Sequence, residues 1–181
     1  HYPLRRQRQM CIRDSLWIMS DNIISEENLK NFALKSGIDV KRLIFAKLMP
    51  LDEHLKRLQL GDLILDTFPY NAHTTCSDAL RINLPVLTIK GESFPSRVAA
   101  SLLNSINMNE LVTENIEEYE KLALKIFNNN DYFENIKFKI KENKISSNLF
   151  NSAIYTKNIE KAYTIAYQNF VKGELPKNIE L

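Results

Sequence analysis

The segment from Asp66 to Asp78 reads Asp-Thr-Phe-Pro-Tyr-Asn-Ala-His-Thr-Thr-Cys-Ser-Asp. It follows the apolar run Leu63-Ile64-Leu65 and leads into a helix expected from His73 to about Ile82. The first amides of a helix have no partners inside it and carry partial positive charge. Thr74 and Thr75 place two hydroxyls beside those amides, with His73 just ahead of them. Such an end is a phosphate cradle built without glycines. Asp78 lies one turn further in, where a carboxylate can accept hydrogen bonds from the two hydroxyls of a ribose. The same spacing also fits an ordinary threonine-capped helix with a solvated aspartate.

His54 and Arg57 form a second pair. They are three apart on an expected helix after Pro50, so they share a face. An imidazole can stack on a base, and a guanidinium can meet a carbonyl oxygen or a phosphate. With Asp52, Glu53 and Lys56 beside them they also fit a plain charged surface helix. A third segment, Gly91 to Ser101, is another strand-to-helix loop. Its Arg97 can face an anion or pair with Glu92. Cys76 sits just inside a helix start, where a thiol pKa can fall. No CxxC, metal-ligand spacing, Ser-His-Asp order or paired-acid motif accompanies it, so neither a nucleophile nor a metal site is expected.

The elements that must position these residues follow a regular alternation. Leu16-Trp17-Ile18-Met19 reads as a buried parallel strand, and Ser25 as the cap of a helix that Gly37 ends. Leu43–Ala46 is a second strand, Leu63–Leu65 a third and Val86–Ile89 a fourth. Leu111-Val112 is a short fifth, and Pro95 suits the first position of the helix before it. Strand and helix in alternation mean an α/β fold, a Rossmann-like parallel sheet with helices on both faces. In such sheets ligands sit beyond the carboxyl ends of the strands. The loops at Asp21–Asn22, Lys47–Leu51, Thr67–His73 and Lys90–Ser93 should therefore converge. After Thr113 the pattern is helical. Apolar stripes run through Ile116, Tyr119, Leu122 and Ile126, then Tyr132, Ile136 and Ile140, then Tyr155, Ile159, Ala162, Ala166 and Phe170.

The 181 residues are 44% hydrophobic and 25% charged, as in an ordinary globular protein, and contain no apolar run long enough to span a membrane. Two cysteines exclude a disulfide-stapled scaffold. The net charge of +2 arises in residues 1–14, which hold four arginines and one aspartate. The remaining chain balances to −1, so the electrostatic footprint of a nucleic-acid binder is missing from its body. Residues 1–15 lack a signal-peptide pattern and resemble a translated adapter scar. They are expected to be non-native and unstructured, on a chain cut from something longer; the rival reading is a genuine basic arm. Residues 16–172 then form an α/β domain with a helical carboxyl part, and 173–181 an irregular tail.

Taken in order, several blocks carry a family likeness: RLIFA at 42–46, MPLDEHLKR at 49–57, DTFPYNAHTTCSDAL at 66–80, LPVLT at 84–88, GESFPSRVAASLL at 91–103 and ISSNLFN at 145–151. The chain resembles the carboxyl-terminal part of the catalytic region of O-linked N-acetylglucosamine transferase-like proteins, the bacterial TPR-linked members above all. The likeness runs from about Leu16 to Ile179 and makes residues 16–172 the nucleotide-sugar-binding domain. It implies the second half of a GT-B fold, in which two Rossmann-like domains face each other, followed by carboxyl-terminal helices. It further implies that a UDP diphosphate lies on His73, Thr74 and Thr75, that Asp78 holds the ribose, and that Met49, His54 and Arg57 frame the uracil. Leu51 stands where animal members carry a lysine, and Cys76-Ser77 replaces a glycine-containing pair.

The function implied is an inverting protein O-glycosyltransferase. It would move N-acetylglucosamine or a related sugar from a UDP-sugar to Ser or Thr of a protein, in the bacterial cytoplasm. The catalytic groups, the acceptor domain and any TPR repeats would lie upstream, so this stretch alone is not expected to turn over. No metal, other cofactor, membrane or nucleic-acid partner is implied. The alternatives are a GDP-fucose-dependent O-fucosyltransferase fragment, a sugar-nucleotide epimerase of GT-B type, and a non-catalytic binding or interaction module.

Overall fold

The computed structural model describes residues 15–20 and 22–180. The expectation for residues 1–14 lies outside the described residues, as does Asp21. The chain divides into two units, one up to His54 and one from Leu55 onward.

In the first unit, β1 (Leu16–Met19) and β2 (Leu43–Ala46) pair in parallel, with Leu16 opposite Leu43 and Met19 opposite Ala46. Helix α1 (Ile23–Lys35) connects them. Its cap is Asn22 rather than Ser25: the Asn22 Oδ1 accepts from the amides of Ile24 at 2.9 Å and Ser25 at 3.3 Å. The carboxamide lies two and three residues ahead of the open amides, the reach a cap needs. Gly37 ends the helix as expected, at φ +71°, and the Ile38 amide donates back to the Ala33 carbonyl at 2.9 Å. β1 is not the buried strand its composition suggested, since Met19 is 66% exposed and Leu16 and Trp17 are also exposed. An apolar run marks a strand's capacity for burial, and only layers on both faces realise it.

Helix α2 (Leu51–Leu58) follows Pro50 and carries Asp52 and Glu53 in its first turn, as the sequence predicts. It crosses the division between the two units.

The second unit holds β3 (Ile64–Leu65), α3 (Thr74–Arg81), β4 (Val86–Ile89), α4 (Val98–Ser105) and β5 (Val112–Thr113). The three strands run parallel in the order β3-β4-β5. The α/β class is as expected, with the parallel strands divided between two sheets, one in each unit, rather than joined in one. β4, at the centre, is buried along its whole length. β5 falls one residue later than expected, because Leu111 closes a 3-10 turn and points fully into the core. Asn83 after α3 and Asn107 after α4 take positive φ, which asparagine tolerates better than most residues.

Three further helices follow: α5 (Ile116–Asn128), α6 (Asn130–Ser146) and α7 (Ser152–Val171). Ile126 of α5 and Ile136 and Ile140 of α6 join Leu80, Val86, Leu103, Met108 and Leu111 in one core. The stripe expected on α7 is displaced. Tyr155 and Phe170 are exposed, while Ile159, Ala162 and Ile165 are half-buried. Residues 174–180 have no regular secondary structure.

Candidate functional site

Helix α3 begins where β3 ends, after the turn from Asp66 to His73. Its cap residue, His73, offers no side-chain hydrogen bond to the first turn. The ladder starts only with the Ser77 amide on the His73 carbonyl, at 3.1 Å. The amides ahead of it are therefore the open, partly positive end that an anion can meet. Thr74 and Thr75 are exposed there, and Asp78 is half-buried one turn on. Asp78 lies four residues after Thr74 and three after Thr75, so all three share a face.

The opposite face anchors the helix. Cys76, Ala79 and Leu80 are fully buried. Burial, with the Asp66 carboxylate nearby, pushes the Cys76 thiol up to about 12. The lowered pKa that its place at a helix start allowed does not occur, because desolvation of a thiolate outweighs the helix-end field.

Aromatic rings surround the cap. His73 stacks on Tyr70 with ring centres 5.2 Å apart and meets the edge of Phe94 at 6.0 Å. The His73 Nε2 lies 3.3 Å from the Pro95 carbonyl oxygen, to which the Asn71 amide donates at 3.2 Å. The loops after β3 and β4 thus meet, as the strand-end rule requires of them. Gly91 makes the approach possible. A Cβ there would lie 2.5 Å from the Ser96 Oγ and 2.9 Å from the Phe68 ring.

Beneath these loops lies a buried polar network that sequence reading did not single out. The Asp66 Oδ1 accepts from the Thr67 amide at 2.9 Å and the Ala72 amide at 2.7 Å. Its Oδ2 accepts from the Thr88 hydroxyl at 2.7 Å. That hydroxyl accepts from the Asn71 Nδ2 at 2.6 Å, which also donates to the Ile89 carbonyl at 2.8 Å. The Tyr119 hydroxyl donates to the Asp66 carbonyl at 3.1 Å, and burial pushes that phenol up to about 12. A buried carboxylate with three donors is satisfied rather than stranded. The one signal in the sequence was Thr88, a polar residue inside an otherwise apolar strand.

The remaining expected residues are placed as follows. Met49 and His54 belong to the first unit and Arg57 to the second, all three half-buried. His54 and Arg57 share the face of α2 that their spacing required. Arg97 is exposed at the start of α4, and the ion pairs among the described residues do not join it to Glu92. A cavity of about 430 Å³ lies away from the α3 start, lined by Ser105, Ser147, Asn148, Tyr155 and Asn158. It gathers no charged group, so the strand-end surface remains the chemically stronger candidate.

A family model described as glycosyl transferase family 41 matches residues 9–159. The chain belongs to glycosyl transferase family 41. A relative from Caenorhabditis elegans, named UDP-N-acetylglucosamine–peptide N-acetylglucosaminyltransferase, is 31% identical over 158 residues, covering 87% of this chain. The structure is similar to that of a mutant Thermobaculum terrenum O-GlcNAc transferase, with a TM-score of 0.75 and 26% identity over 82% of this chain. This family 41 chain spans only 14% of the length of the nematode relative and 29% of the bacterial one.

Proposed function

We propose that this chain is the nucleotide-sugar-binding half of an inverting protein O-glycosyltransferase that uses UDP-N-acetylglucosamine or a related UDP-sugar. The observation that carries the reading is the start of α3, whose uncapped amides lie beside Thr74 and Thr75, with Asp78 on the same face. Membership of family 41 and the names of the similar proteins support the choice of donor and of a protein acceptor.

In this reading the diphosphate rests on the α3 amides, the two threonine hydroxyls and His73. Asp78 accepts from the ribose hydroxyls, and Met49, His54 and Arg57 frame the uracil. As an acceptor hydroxyl attacks the sugar C1, the C1–O bond breaks and its electron pair leaves with UDP. The helix end and the hydroxyls stabilise the charge that grows on the departing phosphate. The acceptor Ser or Thr, its binding domain and the groups that take its proton belong to the longer protein. Any TPR repeats would belong there too. Residues 16–172 form the donor domain and 173–181 its tail, and the chain alone does not turn over. No helix among the described residues is long and apolar enough to cross a membrane, and placement in a bacterial cytoplasm is part of the same proposal.

Calorimetric titration with UDP and with GDP tests the donor. UDP binding without GDP binding is the expected result. GDP binding alone would transfer the reading to a fucosyl donor, and binding of neither would leave an interaction module. Thr74→Val and Thr75→Val should each weaken UDP by roughly 0.5–1.5 kcal/mol and leave uridine nearly unchanged. Equal losses for both ligands would show that these hydroxyls do not meet phosphate.

A further inference from the structure

The α3 cap residue, His73, contributes no side-chain bond to its helix, so something else must fix the direction of the first turn. The two residues immediately before it are both held from below. The Ala72 amide donates to Asp66, and the Asn71 side chain donates to Thr88 and Ile89. Asp66 and Thr88 are themselves buried and bonded to each other. Thr88 stands on the central strand, whose backbone is in turn tied to β5 through the Thr113 hydroxyl at 3.0 Å. We propose that Asp66, locked to Thr88, is a positioning residue for the diphosphate cradle: it fixes residues 71 and 72 so that the amides and hydroxyls at 73–75 face the ligand. This rests on the donor-binding reading above.

The chemistry requires a carboxylate. Its two oxygens accept from two amides and one hydroxyl, and it offers no donor in return. An amide side chain would set an N–H group against the Thr88 hydroxyl and leave that hydroxyl's proton without its acceptor. Thr88→Val removes the hydroxyl at nearly constant volume. It leaves the Asp66 Oδ2 without its Thr88 donor and the Asn71 Nδ2 without its Thr88 acceptor. Thr88→Ser keeps both bonds.

The test is titration of the full chain with UDP and with uridine, each followed by backbone amide NMR shifts, for wild type, Thr88→Val and Thr88→Ser. The expected result is a loss of about tenfold or more in UDP affinity for Thr88→Val, less than about twofold for uridine, and recovery in Thr88→Ser. In the unliganded Thr88→Val chain the Ala72 amide should also exchange faster with solvent. Asp66→Asn serves as the second variant should Thr88→Val fail to fold, with the same selective loss expected. UDP affinity equal to wild type, or equal losses for UDP and uridine, would overturn the positioning role and leave the network as core structure. A wild-type chain that binds neither ligand would instead overturn the donor reading itself, a result visible before any variant is made.

Discussion

Helices α3 and α7 solve opposite problems. α7 has twenty residues, is capped by the Asn151 side chain on the Ile154 amide at 3.1 Å, and buries no side chain fully. α3 has eight residues and no side-chain cap, yet three of its residues are fully buried. Eight residues are too few to hold a helix alone in water, where nucleation is costly. α3 therefore exists because Cys76, Ala79 and Leu80 are packed. Because packing holds it, its first amides need not be spent on a cap. The shorter, less self-sufficient helix is the one whose end is open to a ligand.

Truncation on the two helices should differ most. Leu80→Ala should cost about 2–5 kcal/mol, since a fully buried side chain leaves a cavity. Tyr167→Ala, on the exposed side of α7, should stay within about 0.5 kcal/mol. Denaturant unfolding of both variants decides it. Comparable losses would mean that α7 is packed after all and that the contrast fails.

A smaller effect separates binding from stability. Asp78→Ala should weaken UDP by about 1.5–3 kcal/mol, a loss of roughly 10- to 150-fold, with Asp78→Asn losing less. Asn151→Ala should cost about 1 kcal/mol of stability through its lost cap and leave UDP affinity where it was. Calorimetry beside thermal melting reads both. Unchanged affinity in Asp78→Ala would return that residue to the role of a solvated helix carboxylate.

The smallest effect sharpens the account of the buried face. Burial raises both Cys76 and Tyr119 to about 12, from ordinary values of 9.0 and 10.0. Above about pH 9 the unfolded chain releases these protons before the folded one does. The native state then binds more protons, so stability falls as pH rises through this window and is complete below it. At pH 8 the Cys76 peptide should resist iodoacetamide until the protein unfolds, as mass spectrometry would show. Rapid labelling of folded protein would place Cys76 nearer the surface than α3 packing allows.

Much of the fold was legible because its signals are local. Pro50, followed by Asp52 and Glu53, opened a helix where expected, and Gly37 closed one through a positive φ. Other signals misled for identifiable reasons. Ser25 is a good cap residue, but Asn22 sat nearer the open amides. The stripe through Tyr155 and Phe170 has helical period, but period does not say which side of a helix finds a neighbour.

The candidate site divides in the same way. The sequence by itself determined that Thr74, Thr75 and Asp78 share one face of a helix starting at a strand end, because helical geometry fixes neighbours three and four apart. It also determined that the β3–α3 loop is polar and leaves an apolar strand. Tertiary structure alone decided that Asp66 meets Thr88 across 22 positions and that Asn71 reaches Ile89 across 18. It likewise decided that His73 lies against Pro95 and that Cys76 is shut away from solvent. Parallel strands bring such residues together only through a crossover, and a spacing rule cannot span one. The open helix end was therefore readable in the chain, and what aims it was not.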